Sequence, residues 1–167
     1  MKKIILGLII MIAIFAFTNS QKNKFSEESL SKKLITTQNT EITFKEVLNK
    51  HKGKITVIEI WASWCSDCVK AMPKVKAMQK KNPKVDYVFI SMDKVFDKWQ
   101  AGIEKHTLNG DHYWVNDEKM MKGAFGKSID LDWIPRYIIL DKEGKIVTYR
   151  AIETDLKQIN ETLKKLE

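Results

Sequence analysis

The chain is most constrained by one junction, where the run Ile55–Trp61, apolar or β-branched throughout but for Glu59, leads through Ala62, Ser63 and Trp64 straight into Cys65–Ser66–Asp67–Cys68. A run of that kind reads as a strand buried on both faces, and such strands lie in the middle of sheets covered by helices. After the cysteines, Val69, Met72, Val75 and Met78 recur at helical spacing with lysines between them. That pattern predicts an amphipathic helix ending near Asn82–Pro83, with Pro73 kinking it. The cysteine pair therefore sits where a mid-sheet strand turns into a helix.

The same alternation continues downstream. Asp86–Met92 reads as a second buried strand, and Lys94–His106, with Val95, Trp99 and Ile103 on one side, as a second helix. Strand–helix–strand–helix order implies a parallel sheet core with right-handed crossovers. A short strand is expected at Tyr113–Val115 and a short helix at Glu118–Phe125, stopped by Gly123 and Gly126. Arg136–Leu140 and Lys145–Tyr149, joined by Asp141–Gly144, read as an antiparallel hairpin. A terminal helix, Asp155–Leu166, carries Leu156, Ile159, Leu163 and Leu166 on one face, with Thr154 as its cap. Upstream, Thr43 and Glu46 form a capping pair for a helix ending near Gly53. Residues 21–42 are polar and read as a linker with one short strand near Leu34–Thr37, leaving 43–167 as the domain. The aromatics Phe89, Phe96, Trp99 and Phe125 fall at packing positions, whereas Trp61 suits either the core or the active-site surface.

At the N-terminus, Lys2 and Lys3 precede the apolar run Ile4–Phe17 and the polar stretch Thr18–Gln21. Residues 1–20 therefore read as a secretory signal peptide, with an uncleaved anchor as the alternative. The run is shorter than the ~20 residues a membrane-crossing helix needs. This places the domain outside the cytoplasm, in a periplasm or cell envelope. The net charge of +8 does not read as a nucleic-acid face, because the lysines are interspersed with acids, as in Glu143–Lys145 and Glu161–Lys165.

An exported chain with only two cysteines, two residues apart, lacks the longer spacings of a structural disulfide framework. At a helix start, the Cys65 sulfur would meet unpaired backbone N–H groups and the positive end of the helix dipole, which stabilise its thiolate. Cys65 is then the attacking group and Cys68, one turn further in, resolves the mixed disulfide. Half of a zinc site, a purely structural disulfide and a copper-handling dithiol are the rival chemistries. The zinc reading lacks a second ligand pair, since only His106 and His112 follow, and no methionine or histidine cluster beside Cys68 supports copper. No metal and no cofactor is expected, nor is there a peroxidase loop or a Gly-rich phosphate loop. Glu59 stands out as an acid inside a buried strand, where an unpaired charge costs several kcal/mol.

Trp61–Ala62–Ser63–Trp64–Cys65–x–x–Cys68 after a hydrophobic strand, together with Trp133–Ile134–Pro135–Arg136 before a strand and the Asp141–x–x–Gly144 turn, resembles the thioredoxin superfamily. With the N-terminal segment and the Phe44–Leu48 lead-in, the chain resembles its exported TlpA/ResA-like branch. The resemblance implies an α/β three-layer sandwich with a central mixed sheet, and a thiol–disulfide oxidoreductase acting on protein disulfides with a membrane protein as electron donor. A redox-inactive binding module on the same scaffold is the alternative. It further implies Cys65 as the attacking and Cys68 as the resolving cysteine, with Trp64 shielding the pair. Pro135 would be a cis-proline facing it, the Ile134 backbone would pair with substrate, and Glu59 would be the buried acid that takes the Cys68 proton. The chain departs from the family pattern at Ser66–Asp67, where Gly–Pro is common. It departs again at Ala71, where some ResA-like members carry a glutamate; that absence removes the ground for a specific haem-protein maturation role.

Overall fold

In a computed structural model, residues 22–167 are described; the expected signal segment lies outside the described residues. Seven strands make one mixed sheet in the order β2-β1-β5-β4-β3-β6-β7. They are β1 (Lys33–Thr36), β2 (Glu41–Thr43), β3 (Thr56–Trp61), β4 (Asp86–Ser91), β5 (Asp111–Trp114), β6 (Arg136–Leu140) and β7 (Ile146–Ala151). The central three, β3, β4 and β5, run parallel, and β6 pairs antiparallel with β3. Every residue of β3 is buried, as its apolar run requires.

Among the described residues six α-helices cover the sheet: α1 (Glu27–Leu30), α2 (Phe44–Lys50), α3 (Ser66–Lys81), α4 (Phe96–His106), α5 (Ala124–Ser128) and α6 (Leu156–Leu166). Phe44 of α2 packs edge-on against both Phe25 and Phe125, which ties α2 and α5 together over one face. Over the other face, the buried Asn82 side chain at the end of α3 donates to Asn160 of α6 at 2.9 Å, and Lys76 of α3 reaches Thr107 at the end of α4 at 2.8 Å. Trp61 points to this second face, its ring 6.3 Å from that of His106. Glu59, two residues back along the strand, shares that side. Trp61 is wholly buried and belongs to the core.

Three expectations change. The stretch expected as a linker is built into the sheet: β1 and β2 form a hairpin, and β1 pairs antiparallel with β5, with Leu34 fully buried and Phe25 largely so. Its polar composition reflects an edge hairpin with one exposed face rather than a spacer. The helix expected at Glu118–Phe125 splits into a 3-10 turn at Met120–Lys122 and α5, because the Asp117 carboxylate accepts from Lys119 N and Ala124 N and caps each start separately. Thr154 does not cap α6; Asp155 instead turns its carboxylate back to Ile152 N at 3.0 Å across a short 3-10 turn. The β6–β7 hairpin forms as its turn residues dictate, with Asp141 Oδ1 accepting from Glu143 N and Lys145 N and Gly144 at φ 78°.

Candidate active site

Strand β3 ends at Trp61, and the chain turns through Ala62–Trp64 to enter α3, whose N-cap is Cys65. The Cys65 sulfur accepts from Cys68 N at 3.2 Å, one of the backbone donors a helix start leaves without a partner. Cys65 and Cys68 are joined as a disulfide with their Cα atoms 5.3 Å apart. Cys65 keeps a sliver of exposure at 7%, whereas Cys68 has none, which orders the pair into an outer and an inner sulfur. Pro73 lies within α3 on its exposed side.

Ile134–Pro135 is a cis peptide bond, and the Ile134 carbonyl oxygen lies 3.6 Å from Cys65 Sγ. Among the described residues the Ile134 N–H has no hydrogen-bond partner. Around this point the surface is apolar: Trp64 is 54% exposed and Trp133 52%. Sulfur, cis-proline and exposed indoles therefore converge on one patch, built from the α3 start and the loop before β6.

Beneath it, Glu59 is 1% exposed. Burial pushes its carboxyl up to about 8, and the Tyr137 hydroxyl, which donates to Oε1 at 3.3 Å, opposes that rise only in part. The other oxygen, Oε2, is buried without a partner among the described residues. Tyr137 stands directly across from Glu59 in the antiparallel β3–β6 pair, and its own phenol is pushed up by burial and by the neighbouring carboxyl. The acid is thus held close to neutral in an apolar enclosure, with one oxygen uncommitted.

Two contributors escape sequence reasoning. Asp93, buried at the carboxyl end of β4, accepts from Ser63 N at 3.0 Å and from the hydroxyls of Ser63 and Ser91 at 2.7 Å each. It anchors the loop that carries Trp64 and Cys65. Its signal was available, since an acid just beyond a buried parallel strand sits where α/β sites gather. Tyr137 had no such signal, because its hydroxyl matters only through strand register with Glu59. The two downstream histidines serve the core: His106 meets Trp61, and His112 stacks on Phe89 with Nε2 3.1 Å from the Leu108 carbonyl oxygen.

A thioredoxin-like family model matches residues 53–146, more than half of the chain. The thiol–disulfide oxidoreductase ResA of Bacillus thuringiensis subsp. konkukian is 24% identical over 151 residues, covering 90% of this chain and 83% of that protein. ResA of Bacillus cereus is 26% identical over 129 residues, covering 76% of this chain and 72% of that protein. A thiol–disulfide oxidoreductase from Bacteroides fragilis shares the fold at a TM-score of 0.64 and 24% identity, over 81% of this chain and 96% of that one. With one sulfur at a helix start keeping a sliver of exposure and its fully buried partner one turn inside, the chain belongs to the thioredoxin-like family and is a thiol–disulfide oxidoreductase.

Proposed function

We propose that the protein reduces disulfides in exported polypeptides beyond the cytoplasmic membrane, drawing electrons from a membrane donor. The observation that carries the reading is the Cys65 sulfur on the Cys68 N–H at the α3 start, with Cys68 sealed behind it. In the dithiol form, the Cys65 thiolate attacks a substrate disulfide, forming a mixed disulfide and releasing one substrate thiolate. Cys68 then gives its proton to Glu59 in the fraction of molecules whose carboxyl, with its value near 8, is ionised, and its sulfur attacks Cys65 Sγ. The protein disulfide forms, the second substrate thiolate leaves, and two electrons have passed to the substrate. A carboxyl near 8 lies close enough to neutral pH both to take a proton and to give it back. When the donor reduces the protein again, neutral Glu59 returns a proton to the leaving Cys68 sulfur.

The substrate segment lies along Trp64 and Trp133 as an extended strand, with the unpartnered Ile134 N–H pairing to its backbone. Export is supported by the basic and apolar pattern of residues 2–17. Among the described residues no helix is long and apolar enough to cross a membrane.

Insulin reduction by the dithiol form, followed as precipitation of the freed chain, tests the reading. Cys65→Ser is expected to abolish it, and Cys68→Ser to accumulate a mixed disulfide visible by mass. Reduction that survives Cys65→Ser overturns the assignment.

A further inference from the structure

Beside the disulfide, away from the Ile134 loop, a groove of about 450 Å³ opens, lined by Ser63, Trp64, Lys94, Val95, Lys98 and Met120, with Asp93 at its base. Val95, 51% exposed, faces solvent although it immediately precedes α4. The Asp93 carboxylate is occupied by Ser63 and Ser91, so the acid in the lining is turned into the protein. Lys94 and Lys98 are exposed, and among the described residues neither is held by an ion pair. The groove therefore has an apolar floor and a positive rim.

Met120 lies in the left-handed region at φ 49°, a costly conformation for a bulky residue and one that persists mainly at functional sites. A second depression shares Met120 and continues along Met121 and Leu131. In it Asp130 is already paired to Lys22 at 3.1 Å and the exposed Glu118 stands beside Lys119, while Lys119, Lys122 and Lys127 make no ion pair among the described residues. Methionines adapt to varied apolar side chains, which suits a surface that must take many sequences.

We propose that this groove selects substrates for the exchange reaction by binding an extended polypeptide segment that carries an apolar side chain flanked by carboxylates. The inference rests on the disulfide-exchange reading above and specifies its substrate class. Because Ser63 and Trp64 belong to the turn that presents Cys65, a segment seated there is held beside the attacking sulfur. The lysines steer acidic segments in, and the Trp64–Val95–Met120 floor retains them.

The test compares two synthetic peptides, each closed by one disulfide, one with Leu–Asp–Glu beside a cysteine and the other with Leu–Lys–Lys. Their rates with the reduced protein are each divided by the rate with uncharged 2,2′-dithiodipyridine. The acidic peptide is expected to react about tenfold faster at low salt, in line with steering by fixed charges, and the gap to shrink at 0.5 M salt. Lys94→Glu combined with Lys98→Glu is expected to invert the preference, and Val95→Ser to slow both peptides relative to dithiodipyridine. Equal rates for the two peptides, or a preference that survives the charge reversal, overturns the inference while leaving exchange intact. A groove covered by a second copy, seen as a dimer by sedimentation that these variants dissolve, overturns it as well. Failure of dithiodipyridine itself to react sinks the exchange reading and this inference together.

Discussion

At the scale of single residues, Glu59 carries the clearest signature. Its folded carboxyl lies near 8 because burial disfavours the charge, whereas in the unfolded chain it would ionise near 4.5. The folded state therefore binds a proton that the unfolded state releases, and the stability this confers is full below pH ~4.5 and is lost as pH rises through about 8. Glu59→Gln, which keeps the shape and cannot ionise, is expected to become progressively more stable than wild type across that window. The difference should reach several kcal/mol at pH 8, at ~1.4 kcal/mol per pH unit, read from urea midpoints. The same variant is expected to slow resolution of the mixed disulfide tenfold or more and to erase a rate inflection near pH 8. Tyr137→Phe removes the hydroxyl that donates to Glu59 and is expected to move that inflection upward. An unmoved inflection in both variants would assign the titration to another group. Asp67 acts in the opposite sense on the pair. Its carboxylate, part-exposed and 3.6 Å from Lys70, stands between the cysteines and opposes the Cys65 thiolate. Asp67→Asn is expected to raise the reduction potential by about 10–20 mV, small because solvent and Lys70 screen the charge; equilibration with glutathione measures it.

At the scale of elements, the β1–β2 hairpin decides where the domain begins. Leu34 is fully buried, β1 pairs with β5, and Phe44 N donates to the Lys32 carbonyl at 2.8 Å. Leu34→Ala is therefore expected to cost roughly 2–5 kcal/mol in chemical denaturation, as a core truncation does. Near-neutral behaviour would return residues 22–42 to the status of a spacer. Strands and helices with strong periodicity were legible beforehand: β3, β4, β6 and α3 fall within a residue or two of their expected bounds, since a continuous apolar run or a 3.6-residue stripe admits few alternatives. The hairpin was not, because an edge strand buries one face and takes its identity from pairing with β5, nearly eighty residues away. The split at 117–124 was hidden for a related reason, as one aspartate caps two helix starts through a loop geometry that no local pattern announces. In the site, Cys65, Cys68, Trp64, Ile134, Pro135 and Glu59 were all named from motifs, and the structure brings the sulfurs, Trp64 and the cis-proline loop to one patch with Glu59 buried in the adjoining strand. Tyr137 and Asp93 became visible only once strand register and hydrogen bonds were known.

For the whole molecule, the folding free energy and the redox couple are linked, so melting reports the direction of electron flow. Whichever redox form the fold stabilises more sets the potential relative to an unconstrained dithiol, because the two equilibria share one thermodynamic cycle. Three features of the fold act on the couple, one against the other two. The α3 start stabilises the Cys65 thiolate and hence the reduced form, whereas Asp67 opposes that charge and the buried Cys68 offers no room for a second one. The closed ring further restrains the unfolded chain, an effect of about 2 kcal/mol for a loop this short. A reductase requires the sum to favour the disulfide. The oxidised protein is then expected to melt roughly 4–8 °C above the reduced one, at about 2–4 °C per kcal/mol for a chain of this size, in paired calorimetric scans with and without reductant. A reduced form that melts higher would mark the couple as an oxidant, reverse the proposed flow of electrons and remove the need for a membrane donor.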